Sequence, residues 1–97
     1  LVEEPVHLGP QLLREEAERL LFERFQRVRA QVEAQLEAED YLGALRTLAG
    51  LRPEVDRFFD EVLVMTPQEE LRDNRLALLQ GIEACFRRIA DLSQLGA

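Results

Sequence analysis

Ninety-seven residues, 46% of them hydrophobic and 32% charged, with five glycines and four prolines, describe one helical globular domain around one core. A net charge of -7 opposes long-range attraction to phosphates, so a nucleic-acid reading needs local support. No apolar run approaches the roughly 20 residues of a membrane helix, and the start, with Glu3, Glu4 and Pro5, lacks the basic opening of a secretory signal; a cytoplasmic location away from membranes is expected.

Residues 1–10 read as an irregular lead containing Gly9 and Pro10, and a chain that opens on Leu1 reads as a piece of a longer protein. Apolar side chains then recur at Leu13, Ala17, Leu20, Leu21, Phe25, Val28, Val32 and Leu36, the spacing of one helical face, which predicts a helix from about Pro10 to Ala38. Its other face carries Glu15 and Arg19, then Glu23 and Arg27, each acid four residues before its arginine; such pairs add only tenths of a kcal/mol, so these arginines are expected on a solvated helix face.

Asp40 is placed to cap a second helix through Ala49, with Tyr41, Leu45 and Leu48 inward and Gly50 as its stop. Pro53 suits the first turn of a third helix whose buried stripe is Val55, Phe58, Phe59 and Val62. The unbroken Leu63, Val64 and Met65 predict a buried exit. Thr66, Pro67 and Glu69 form a helix start with a capping box, and a fourth helix is expected from Pro67 to about Leu92, burying Leu71, Leu78, Leu79, Ile82, Phe86 and Ile89. Gly81 inside it costs up to about 1 kcal/mol relative to Ala, which points to close helix packing or simple tolerance. Two long and two short helices with brief connections give an all-α antiparallel bundle of about four helices.

Catalytic chemistry has few supports. His7 is the one histidine and Cys85 the one cysteine, which excludes histidine-cysteine metal spacing and an internal disulfide. Asp56 and Asp60 share one side of the third helix, but their expected role is to pair with Arg72 or Arg75 and lock a hairpin of the third and fourth helices. Phe58 and Phe59 are expected in the core; exposure of either would favour stacking on RNA bases.

The segments Val55 to Met65 (VDRFFDEVLVM) and Arg72 to Leu79 (RDNRLALL), supported by Ile89 to Leu95 (IADLSQL), resemble the C-terminal region of bacterial glycyl-tRNA synthetase beta subunits, a DALR-type anticodon-binding domain. Gly43, Ala44, Leu45 and Arg46 stand where that group has Asp, Ala, Leu and Arg, with Gly replacing Asp. The resemblance implies a C-terminal accessory domain, without catalytic residues, that binds the anticodon arm of glycine tRNA. In such an enzyme the alpha subunit, with ATP and Mg, carries the catalysis. No cofactor and no DNA are implied for the domain itself.

Under this resemblance the candidate RNA contacts are Arg46, Arg72, Asn74 and Arg75, then Arg87 and Arg88, because arginine pairs bidentately with phosphate or base edges and asparagine both donates and accepts. Three have a competing structural role, Arg72 and Arg75 with Asp56 or Asp60 and Arg87 with Glu83. A helical protein-interaction or structural domain without RNA contact is the alternative reading. Its mark would be arginines scattered and individually paired with carboxylates, whereas a cluster of unpaired arginines would favour RNA.

Overall fold

A computed structural model describes residues 13–96, which form four helices: α1 (Glu16–Glu37), α2 (Tyr41–Ala49), α3 (Arg52–Glu61) and α4 (Glu69–Gly96). The expected irregular lead and the start of the first helix at Pro10 lie outside the described residues. Within them α1 begins later than the apolar pattern suggests. Glu15 is its N-cap, and the Glu15 backbone N–H donates to Glu18 Oε1 at 2.8 Å, satisfying a donor that the helix leaves over.

One face of α1 buries Ala17, Leu21, Phe25, Val28, Val32 and Leu36, and all the other helices pack against this one. Its outer face is solvated as expected, and neither Glu15 with Arg19 nor Glu23 with Arg27 closes an ion pair. Arg19 instead donates to the carbonyls of Leu13 and Arg14, and Glu23 and Arg27 stay apart. Such exposed pairs contribute only tenths of a kcal/mol, too little to hold two long side chains in one geometry.

α1 closes with Glu39 in the left-handed region at φ 59°, donating to Leu36 O while Asp40 N–H reaches back to Gln35 O. This arrangement caps the last carbonyls of α1. Asp40 then caps α2 as expected, its Oδ1 accepting from Gly43 N–H at 3.0 Å. α2 buries Ala44 and Leu48, whereas Leu45, expected inward, is 42% exposed because Ala44 and Leu48, four apart, define the face turned to α1.

Only Gly50 and Leu51 separate α2 from α3, and Pro53 lies in the first turn of α3. Phe58 is fully buried and Val62 nearly so, and Val55 packs against the core. Phe59 departs from the expected stripe at 57% exposure, since a step of about 100° along the helix carries it off the face that meets α1. Leu63 and Met65 are also exposed, so of the exit expected to be buried only Val64 packs against the core.

The expected hairpin of α3 and α4 is replaced by a different packing: α3 lies on α1, and α4 on α1 and α2. The connection 62–68 carries the chain away. Thr66 is buried there and its Oγ1 accepts from Gln68 N–H at 3.4 Å, so helical structure starts at Glu69 rather than Pro67. Leu71, Leu78, Ile82 and Ile89 are buried as the pattern predicts, Leu79 partly so, and Phe86 stays 42% exposed at the edge of the buried stripe. At Gly81 a Cβ would meet Phe25 Cε2 at 3.3 Å, so the glycine admits the close approach of α1 and α4.

Candidate nucleic-acid interface

Arginine is the only strongly basic side chain available, and every arginine of the chain falls within the described residues. Arg75 is interior, with its side chain 5% exposed. Its Nε donates to Glu18 Oε2 at 2.8 Å, Nη2 to Glu18 Oε1 at 3.2 Å and Nη1 to the Leu63 carbonyl at 2.6 Å. The expected partners Asp56 and Asp60 are therefore replaced by Glu18, because α4 turns this face to α1 rather than α3. Asp56 pairs instead with Arg52 on the surface at 3.5 Å. Asn74 is buried beside Arg75. Neither of these two candidate contacts is presented at the surface.

Arg72 is part-exposed, with its nearest carboxylate oxygen, on Asp73, at 3.9 Å. Arg87 pairs with Glu83 as the spacing suggests, and Arg88 pairs across to Glu33 on α1. Both lie on the open surface of α4, alongside Asp91. Arg57 holds Glu61 at 3.0 Å and Glu16 at 3.6 Å. Each of these cations is at least partly offset by a neighbouring acid.

Arg24, Arg27 and Arg46 differ. None has a carboxylate in ion-pair reach among the described residues, and all three line one open groove between α1 and α2, together with Gln31 and Thr47. Arg24 and Arg27, three apart, share an exposed face of α1, and buried Val28 beside it holds the helix on the core. Buried Ala44 and Leu48 do the same for α2. The Arg24 guanidinium lies near the α2 C-terminus, where a Cβ built on Gly50 would be 4.0 Å from Arg24 Nη2. Carbonyls carry partial negative charge at that end, a setting that favours a cation.

Of these three, Arg46 is a sequence-derived candidate, Arg27 is expected with Glu23 on the solvated face of the first helix, and Arg24 has no expected role. A usable signal exists: neither Arg24 nor Arg46 has an acid three or four residues away on either side. The element around Arg46 also explains its departure at Gly43. A Cβ there would fall 2.1 Å from Asp40 Oδ2, so the glycine leaves room for the carboxylate that caps α2.

A second feature is apolar. Phe59, Leu63 and Met65 are each more than half exposed within seven residues of chain, and Phe59 shares its helix with Asp56 and Asp60. Phe58 and Phe59 meet edge to face at 5.8 Å, linking this surface to the core.

The model of the DALR anticodon binding domain matches residues 3–95. The chain belongs to this family. The DALR domain is also 50% identical over 92 residues to the glycine-tRNA ligase beta subunit of Moorella thermoacetica, covering 95% of this chain. It is 47% identical to the beta subunit of Paracidovorax citrulli and 44% identical to that of Myxococcus xanthus, each over 92% of this chain. The chain spans 13% of the length of each of these relatives. No solved structure matches this chain significantly. The resemblance carried by VDRFFDEVLVM and RDNRLALL is thus upheld, and so is the all-α reading.

The remaining chemistry of the DALR domain is sparse. Among the described residues no group of three or more His, Cys, Asp or Glu is placed to hold a metal ion, and no helix is long and apolar enough to cross a membrane. Cys85 is half-buried. Burial pushes its thiol pKa up, Glu33 adds to the rise, and Arg29 and Arg88 oppose it.

Proposed function

We propose that this domain binds the anticodon arm of glycine tRNA as an accessory part of a glycine-tRNA ligase beta subunit. The observation that carries the reading is the family match over residues 3–95, joined to near-complete coverage of the chain by beta subunits at 44–50% identity. Anticodon loops offer unstacked bases and an accessible backbone, which suit a small helical domain with a local cationic surface. In this reading catalysis, ATP and Mg belong to an alpha subunit, which the beta subunit joins in the cytoplasm, and the domain contributes tRNA affinity rather than bond chemistry.

Titration of the full-length beta subunit, with and without this domain, against glycine tRNA and a non-cognate tRNA at low and moderate salt tests the reading. Loss of glycine tRNA affinity on removing the domain is expected. Equal affinity with and without it would sink the proposal.

A second reading, docking of this domain on protein, draws on the exposed Phe59, Leu63 and Met65. Exposure of Phe59 also meets the condition set for base stacking, but its acidic neighbours Asp56 and Asp60 disfavour the phosphates that flank a base and suit a basic, apolar protein surface. Substituting all three by Ser would then disturb subunit assembly in size-exclusion chromatography while leaving tRNA affinity intact.

A further inference from the structure

We propose that Arg24, Arg27 and Arg46 form a phosphodiester-binding site in the groove between α1 and α2, gripping the RNA backbone rather than reading bases. The site deepens the tRNA-binding reading and rests on it.

Charge placement is the first argument. Arg52, Arg57, Arg72, Arg75, Arg87 and Arg88 each have a carboxylate partner; Arg14, Arg19 and the three arginines of this groove have none among the described residues, and of these only Arg24, Arg27 and Arg46 line one groove together. In a chain of net charge -7, carboxylates are plentiful, and a groove that gathers three cations without an acid in its lining is locally opposite to the molecule. The adjoining groove over α3 differs, being lined by Glu23 and Glu54 as well as by Arg24 and Arg27. Acids on that side set an edge to the attractive surface.

Geometry is the second. The cations project from two helices whose inner faces are locked by Val28, Ala44 and Leu48, so they stand on a firm platform. The α2 C-terminus lies beside the Arg24 guanidinium and offers it partial negative charge without a full counter-charge. Guanidinium groups match phosphate oxygens with paired N–H donors, and Gln31 and Thr47 add neutral hydrogen-bonding groups.

The lining also says what is not recognised. It holds no aromatic ring on which a base could stack, and exposed Phe59 belongs to α3 beside Asp56 and Asp60. Backbone contact without base readout predicts weakening that is uniform across tRNA sequences.

The test uses the full-length beta subunit carrying Arg24→Gln, Arg27→Gln and Arg46→Gln singly and together, with Arg52→Gln as the paired-arginine control. Binding of glycine tRNA and of a non-cognate tRNA is measured across a salt series, and circular dichroism checks that the helices persist. The triple variant is expected to bind both tRNAs roughly 10- to 100-fold more weakly near 0.1 M salt, with the slope of log affinity against log salt reduced by about 2 to 3. Arg52→Gln should leave the slope unchanged. An unchanged slope in the triple variant, where deletion of the whole domain still abolishes binding, overturns this site and leaves the tRNA reading standing. If deletion itself changes nothing, both fall.

Discussion

Glu18 in the first turn of α1 and Arg75 near the start of α4, 57 positions apart, meet in a two-pronged ion pair with side chains 0% and 5% exposed. The same glutamate accepts from the Glu15 N–H, and the same guanidinium donates to the Leu63 carbonyl. One pair therefore ties together the cap of α1, the connection after α3 and the beginning of α4. Its value is geometric, because desolvation offsets much of the attraction between buried charges.

Removing one partner leaves the other charged and stranded. Glu18→Ala or Arg75→Ala is expected to cost about 3–5 kcal/mol, whereas Glu18→Leu combined with Arg75→Met should recover most of the loss. Urea denaturation in a double-mutant cycle measures the coupling. A cost below about 1 kcal/mol for either single change would remove the pair from its structural role.

The two adjacent phenylalanines of α3 separate core from surface. Phe58→Ala is expected to destabilise by about 3–5 kcal/mol, since it empties a fully buried site. Phe59→Ala should cost less than about 1.5 kcal/mol, the scale of the lost edge contact. Thermal unfolding of the two variants checks the difference; comparable losses would contradict the placement of Phe59 at the surface.

Glu39 sits at φ 59°, a conformation that disfavours a side chain. Glu39→Gly relieves that strain, less the extra entropy of a glycine in the unfolded chain. A gain of about 0.5–1 kcal/mol is expected. The corresponding rise in Tm is several degrees for a chain of this size, by calorimetry.

Burial and Glu33 together raise the Cys85 pKa above its ordinary value of 9.0. The protonated thiol is thus favoured by folding. Its contribution is fully present below the unfolded pKa and is lost as pH rises through the folded one. Iodoacetamide alkylation at pH 8 is expected to be slower in the folded protein than in urea, and Glu33→Gln should shift the folded-state rate profile to lower pH. A folded-state profile matching that of a free cysteine would contradict this.

Much of the architecture is legible in the chain. The recurrence from Ala17 to Leu36 marks α1, Asp40 and Pro53 mark the starts of α2 and α3, and the long segments around Val55 to Met65 and Arg72 to Leu79 carry the family. These are local properties: periodicity sets which face is apolar, and caps follow from side chains within a few residues of the backbone they serve. Which helix meets which face is not local. The packing of α3 on α1 rather than α4 was decided by the whole assembly, and with it the partner of Arg75 and the exposure of Phe59 and Leu63. The gathering of Arg24, Arg27 and Arg46 likewise required two helices to be laid side by side, because an electrostatic surface depends on distances in space that spacing along one helix does not contain.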